Sequence, residues 1–397
     1  SAAAAMEETR GRLCVLSDAD GSVSRTIATL FKERGGTIVS QMAEQGGSQL
    51  LLYLASPRET VPWAKLNGVF VNKYRGHSLL TRKSRLARLL RGYTWHPPTF
   101  VLSPPEVCRP QVERGKKVTP LQAQILADKQ RALAEEDQQE RQALRLAAAT
   151  RSSCWIVKDA QGAKGSNIYV SRSAAEAEAE VDSGRHTTST VVQAYLADPY
   201  LLPGERKFDI RIWVLIDPIF RVFAHRQGVC RTSSVPYDKH DLSNTLSHIT
   251  NHCIQETSES FGQHEPGNEL FFEGLSKLLA DAAISFEDDI WPQITSILCC
   301  VGAQACDAMR NDPSAVADKT APRCFQLFGF DFLLDAQATI HLLEVNGSPA
   351  CAETLRETIV RDLVAVLLDA TDTSSSQVGG FTQVWSPSSR MAADGQR

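Results

Sequence analysis

Apolar and polar residues change period several times along the chain, and each change marks an element. A short apolar run, RLCVLSD, is followed by SVSRTIATLFKERGG, whose apolar residues recur at helical spacing until glycine stops them, and then by TIVSQ and QLLLYLA. Strand, helix, strand and strand from Arg12 to about Val71 make a small α/β unit. In NKYRGHSLLTRKSRLARLLRGYTW, residues Leu79, Leu86 and Leu90 fall near helical spacing, which predicts a helix with one packed side. Pro97, Pro98, Pro104, Pro105 and Pro110 mark a boundary. The Gln-, Ala-, Glu- and Arg-rich LQAQILADKQRALAEEDQQERQALRLAAAT beyond it reads as an exposed helix or a flexible insertion. CWIVKDAQGAKGSNIYVS then reads as strand, glycine loop and strand, SAAEAEAEV as helix, and VVQAYLA, FDIRIWVLI and FRVFAHRQGV as strands. Helical patterns over about 268–285 and 288–310 precede the hairpin FQLFGFDFLLDAQATIHLLEV, and from TDTSSSQVGG onward the composition is that of a disordered tail.

Composition narrows the class without naming the chemistry. With 397 residues, 43% hydrophobic and 22% charged, the chain has the balance of a soluble globular protein with a large core. No apolar run approaches the ~18 residues of a membrane span, and SAAAAMEE lacks the basic start and apolar centre of a signal peptide; a cytoplasmic location is expected. Ten cysteines are scattered without a spaced framework, which suits reduced thiols. The net charge is only -4, so attraction for a charged partner must come from local patches. The most basic stretch carries Lys73, Arg75, Arg82, Lys83, Arg85, Arg88 and Arg91 without an acidic residue between 72 and 91.

The acids of the hairpin carry the first chemical signal. A turn centred on Ala336 and Gln337 sets Asp331 opposite Leu342, and residues 342, 344 and 346 share a face because strand periodicity is two; Asp331, Glu344 and Asn346 then point the same way. Two crowded carboxylates are pushed towards protonation unless a positive charge sits between them. Two carboxylates and an amide oxygen suit magnesium, which takes phosphate oxygens as further ligands. The alternative is an edge strand with solvent-facing acids. In QGAKGSN, Gly162 and Gly165 permit close backbone approach and Lys164 can neutralise phosphate, although a plain turn would read the same. Neither GxxxxGK[ST] nor GxGxxG is present. In RKFDIRIWVLI, Lys207, Asp209 and Arg211 share one face and Phe208, Ile210 and Ile212 the other, with Arg211 suited to bidentate capture of a carboxylate or phosphate; a solvent-facing salt-bridge row is the bland reading. Arg226 and Arg231 bracket what reads as a loop, HRQGVCRTSS. SHITNHC has zinc-compatible spacing if helical but lacks a fourth ligand, and Thr250 and Asn251 there are better read as hydrogen-bonding loop residues.

Taken together, NKYRGHSLLTRKSRLARLL, WIVKDAQGAKGSNI, VVQAYL, RKFDIRIWVLI, GVCRTSS, SNTLSHITNHCIQ, GNELFF and FQLFGFDFLL with LLEVNGSPACAE resemble the tubulin tyrosine ligase family of ATP-grasp enzymes. The resemblance runs from about Val71 to about Glu353. It implies an α/β ATP-grasp fold with a small N-terminal α/β domain (6–79), a central domain (80–199, with the flexible insertion at about 103–150) and a C-terminal ATP-grasp domain (200–372) before the disordered tail (373–397). It implies adenine and ribose contacts around Gln193, Tyr195 and Leu196, nucleotide contacts from Lys83, Lys164, Lys207 and Asp209, and magnesium on Asp331, Glu344 and Asn346. Arg211 and Arg231, with Glu344, would serve the reacting carboxyl group and its phosphorylated form. The implied reaction is ATP-dependent addition of tyrosine to the C-terminal glutamate of detyrosinated α-tubulin by a monomer that binds the α/β-tubulin dimer and free tyrosine, with no nucleic-acid or membrane partner. Arg75, Arg82 and Arg85 would then meet the acidic tubulin tail. The rival within the family is addition of glutamate or glycine to tubulin, and the rival outside catalysis is a tubulin-binding protein. Ala194 stands where the family more often has lysine.

Overall fold

The structure, a computed structural model, describes residues 9–17, 21–41, 50–105, 107, 119–150, 154–162, 165–310, 322–369 and 376–388. The chain opens with β1 (Leu13–Leu16), α1 (Ser22–Glu33), β2 (Thr37–Val39), β3 (Leu50–Leu54) and β4 (Phe70–Val71). After α2 (Lys83–Leu89) come β5 (Thr99–Leu102), the long α3 (Pro120–Thr150), β6 (Trp155–Asp159), β7 (Tyr169–Ser171), α4 (Ala174–Val181) and β8 (Thr190–Ala194). Then follow β9 (Arg206–Ile216), β10 (Val222–Pro236), β11 (Glu269–Phe271), α5 (Phe272–Asp281) and α6 (Trp291–Arg310). Last are β12 (Arg323–Cys324), β13 (Gln326–Leu334), β14 (Ile340–Asn346), α7 (Glu353–Val364), β15 (Gln377–Val378) and β16 (Phe381–Trp385).

These strands build three sheets. The first, in the order β12-β4-β3-β1-β2, is parallel throughout. Every residue of its β3, Leu50–Leu54, is buried, as expected of a parallel strand covered on both faces. The second, β5-β8-β6-β7, is antiparallel. On one face Trp155, Val157 and Val192 pack with Leu144 of α3 and with Ala177 and Val181 of α4. Residues 120–150, read from sequence as part of a flexible insertion, are therefore one helix. Its C-terminal half is fixed by the buried Leu144, by Arg141 to Asp182 at 2.8 Å and by Arg145 to Glu178 at 2.6 Å.

The third sheet positions the site. Its order is β14-β13-β9-β10-β16-β15, with β11 added to β10, and β9 is buried along its whole length. One face of β9, from Phe208 through Ile210, Ile212 and Val214, packs on Leu275 and Leu279 of α5 and on Ile294 and Leu298 of α6. On the other face Trp213 and Leu215 are covered by Ile359, Val360 and Leu363 of α7, whereas Lys207, Asp209 and Arg211 line a cavity. A single strand face thus passes from packed core to polar site where the helix covering it ends.

Three expectations change here. The stretch expected to be a loop around Arg226 is continuous strand, β10, with a register shift between Ala224 and Gly228. Arg226 leaves the site to stack on Trp291 at 4.4 Å and to pair with Glu287. Residues 377–385, read as disordered tail, form β15 and β16, with Phe381 and Trp385 buried against the third sheet; the Ser-rich stretch before them masked a strand-like alternation in FTQVW. The hairpin register also differs: Phe332 pairs with Leu342, and a shift between Phe332 and Asp331 then pairs Asp331 with Glu344 rather than Leu342. Leu343 is the extra residue, and such a bulge re-aims side chains locally. Without it Asp331 would face Leu343 and Glu344 would turn to the opposite side of the sheet. With it, Asp331, Leu343, Glu344 and Asn346 all reach one cavity.

Candidate active site

The cavity, of about 580 Å³, lies between the second and third sheets, a size usual for small-molecule sites. From the second sheet come Lys158, Gln193, Tyr195 and Leu196 with Gly162 and Gly165 of the glycine loop, and from the third come Lys207, Asp209, Arg211, Arg231, Asp331, Glu344 and Asn346. Gly165 has φ +74 and its missing Cβ faces Ile254, a backbone conformation that favours glycine. Lys164 lies outside the described residues. Lys83 enters from the start of α2, donating to the Gly162 carbonyl at 2.6 Å and standing 3.4 Å from Glu344 Oε2. It therefore bridges the glycine loop and the hairpin.

The charges interlock. Arg211 grips Asp331 in a fork, donating from Nε to Oδ1 and from Nη2 to Oδ2, the latter at 2.7 Å. Arg231 Nη2 reaches the same Oδ2 at 2.9 Å while its Nε donates to Asp209 Oδ1 at 2.7 Å. Thr250 also donates to Asp209. Asn346 Nδ2 stands 3.1 Å from Asp331 Oδ2 and 3.4 Å from Glu344 Oε1, so the three side chains named from the hairpin do converge. Burial works against ionising Glu344, but Lys83, Lys158, Arg231 and Arg211 more than offset it and hold the carboxyl well below the usual range. Asp209 is instead pushed up, by burial and by Asp331, against the opposing pull of Arg231 and Thr250. Lys207, buried and near Lys158, is lowered to about 7. Lys158 is lowered as well, chiefly by burial and against the pull of Glu344.

Lys158 was not singled out in the sequence, yet it lines the cavity and donates to Gln193 Oε1 at 3.3 Å. Period two along β6 contained the signal: Trp155 and Val157 face the helices, so Ile156 and Lys158 face the other way. His248 was noticed only as a possible metal ligand, and it belongs to a hydrogen-bond chain with Tyr195 and Lys207. Arg75, Arg82 and Arg85 do not line the cavity. Arg82 and Arg85 are exposed beside Lys83, and Arg75 lies over Trp63 at 4.9 Å. Two other members of the basic stretch are spent on α3, Arg88 on Glu136 at 2.6 Å and Arg91 on Glu140.

Asp331, Glu344 and Asn346 fit a divalent cation as a donor set. Two ionisable carboxylates and one amide meet within hydrogen-bond distance, and a half-turn of the Asn346 amide presents its oxygen instead of its nitrogen. Among the described residues no group of three or more His, Cys, Asp or Glu gathers as a metal site, so the amide is indispensable to this fit. One glycine guards the arrangement. A Cβ on Gly329 would lie 2.8 Å from Pro349 Cβ and 3.0 Å from Arg211 Cδ. Gly329→Ala should therefore displace Arg211 and cost about 1–3 kcal/mol of stability; the urea midpoint, compared with that of the unchanged protein, checks this.

Two comparisons bear on this constellation. The profile of the "Tubulin-tyrosine ligase family" matches residues 65–378. The chain is 30% identical over 210 residues to "Tubulin glycylase 3E" of Tetrahymena thermophila, covering 50% of this chain and 14% of that protein. It is 29% identical to "Tubulin polyglutamylase TTLL13" of Mus musculus, covering 50% and 25% respectively. It is 27% identical to "Probable tubulin polyglutamylase ttll-9" of Caenorhabditis elegans, covering 58% and 54%. The chain thus spans from a seventh to about half of these relatives. The match over most of the chain, a range that contains the strands converging on the cavity, makes this chain a member of the tubulin-tyrosine ligase family, with its mixed α/β, ATP-grasp-like fold.

Proposed function

We propose that the chain is an ATP-dependent ligase that joins an amino acid to a carboxylate of tubulin through an acyl phosphate. The observation that carries this reading is the convergence of Lys83, Lys158, Lys207, Arg211 and Arg231 with Asp331, Glu344 and Asn346 in one cavity. Such a set can bind a polyphosphate and spread the charge that develops during phosphoryl transfer. The acceptor carboxylate oxygen attacks the γ-phosphorus of ATP, the bond to the β-phosphate oxygen breaks, and ADP leaves. The amine of the incoming amino acid then attacks the acyl carbon. The carbon–oxygen bond to phosphate breaks, phosphate departs, and the nitrogen gives up a proton. Lys83, Lys158 and Lys207 would neutralise the nucleotide phosphates, as Lys164 would from the glycine loop, with Gln193, Tyr195 and Leu196 beside the base. Arg211 and Arg231 would exchange their hold on Asp331 for the acyl phosphate. Asp331, Glu344 and Asn346 would hold magnesium, which when bound supplies further charge neutralisation at the phosphates.

The relatives named as polyglutamylases and glycylases support glutamate, and after it glycine, over the tyrosine first expected from the sequence motifs. Arg82 and Arg85, exposed beside Lys83, would meet an acidic tubulin segment on its way to the cavity. Tubulin incubated with ATP and labelled glutamate, glycine or tyrosine separates these readings. Incorporation of glutamate that requires ATP is expected, and incorporation of tyrosine alone would restore the earlier reading. Binding without any ATP-dependent incorporation would leave a tubulin-binding protein.

A further inference from the structure

Behind the nucleotide side of the cavity runs a chain of hydrogen bonds whose direction is fixed. Lys207 Nζ donates to Tyr195 Oη at 2.9 Å and to the His248 carbonyl at 3.0 Å. Tyr195 Oη lies 2.7 Å from His248 Nδ1, and His248 Nε2 lies 2.9 Å from the Asp241 carbonyl oxygen. An ammonium can only donate and a carbonyl can only accept. His248 must therefore carry its proton on Nε2, give it to Asp241, and take the Tyr195 hydroxyl proton on its bare Nδ1. That leaves the Tyr195 oxygen's lone pairs for Lys207. The ammonium also lies 4.6 Å from the centre of the Tyr195 ring and 5.7 Å from that of Tyr237, so two of its three N–H groups and its apolar walls are assigned and one N–H is left for the cavity.

We propose that His248 is a positioning residue for nucleotide binding: by holding the Tyr195 hydroxyl in one orientation it fixes the Lys207 ammonium where a phosphate or base of the nucleotide meets it. The proposal rests on the nucleotide reading of the cavity. The groups around the imidazole agree with its neutral form. Tyr195 faces it from the end of β8, Lys207 from β9, Tyr237 from beyond β10 with ring centres 5.3 Å apart, and Asp238 and Asp241 from the following loop. Burial lowers the imidazole below its ordinary value, the bond to Asp241 opposes this and Lys207 reinforces it. A second proton on His248 would turn Nδ1 into a donor, and the Tyr195 hydroxyl would have to turn from it towards Tyr237, its other side-chain hydrogen-bond partner. Loss of the Lys207 proton, about 7 in the free protein, would weaken nucleotide binding from the alkaline side.

The test is ATP affinity of the full chain across pH, with turnover measured in parallel. Tyr195→Phe and His248→Phe should each raise the ATP dissociation constant about tenfold, the consequence of one orphaned buried hydrogen bond, and in His248→Phe kcat at saturating ATP should stay close to that of the unchanged protein. His248→Asn sets an amide oxygen where Nδ1 stood. It should recover most of the affinity and lose the acid-side weakening expected of the unchanged protein below the ordinary imidazole range. Unaltered affinity at every pH in Tyr195→Phe and His248→Phe would overturn the proposal. So would equal losses in His248→Asn and His248→Phe that track a lower melting temperature, which would make the imidazole a structural prop. If His248→Phe does not fold, Tyr195→Phe and His248→Asn decide the matter. Failure of the unchanged protein to bind ATP would remove the nucleotide reading itself and this proposal with it.

Discussion

Glu344→Gln is expected to lower the rate of ligation about 10²–10³-fold, the usual effect of deleting one preorganised electrostatic group at a reacting centre, while the protein remains folded. The substitution keeps the shape of the side chain and removes its charge. Lys83, 3.4 Å away, then loses its carboxylate, and Lys158 loses the group that most favours its charged form. One of the three oxygen donors proposed for a divalent cation is weakened at the same time. The pH dependence provides a control. A depressed carboxyl contributes its full charge above the ordinary range of about 4.3 and loses it only in acid below its folded value. Glu344 is depressed, so it stays ionised throughout the neutral range. Any titration of activity near neutrality should then persist in the residual activity of Glu344→Gln and follow Lys207. Single-turnover release of ADP, with circular dichroism as a check on folding, measures the effect. An undiminished rate would reduce Glu344 to a structural counter-ion.

Phe381→Ala is expected to destabilise the protein by about 3–5 kcal/mol, the range for deleting a fully buried ring. Phe381 is completely buried, 4.8 Å from the ring of His225 and in the apolar cluster that includes Trp213, Val360 and Leu363. The backbone around it is tied as well. Gly380 donates to Asp362 Oδ2 at 2.8 Å, and His225 Nε2 lies 3.1 Å from the same oxygen. Equilibrium urea unfolding reads the change. A midpoint identical to that of the unchanged protein would mean that residues 381–385 do not belong to the sheet in solution.

Local chemistry was legible in the sequence where one strand carried it. The alternation of Lys207, Asp209 and Arg211 in RKFDIRIWVLI is the row that lines the cavity, and the acids of the hairpin meet there too. The hairpin register was not legible, because a bulge follows from how β13 and β14 pack and leaves no composition of its own. Asp331 and Glu344 share a face through an extra residue, not through simple alternation. Lys158 is less conspicuous in the sequence than Gly162 and Gly165, although strand periodicity alone assigns its side. Least legible were pairings between distant segments. Neither Arg323–Cys324 as an edge of the first sheet nor FTQVW as a strand of the third can be recognised until the sheets that receive them are known.

The first sheet has a consequence for the order in which the protein matures. Its β4 edge is paired by β12, and Phe325 just beyond donates to the Val71 carbonyl at 2.8 Å. A ribosome that has passed residue 100 has therefore delivered four of the five strands but not β12, which pairs the β4 edge. That edge must wait until residues 323–324 have been synthesised, which makes the nascent chain, rather than the finished protein, the form most in need of a chaperone.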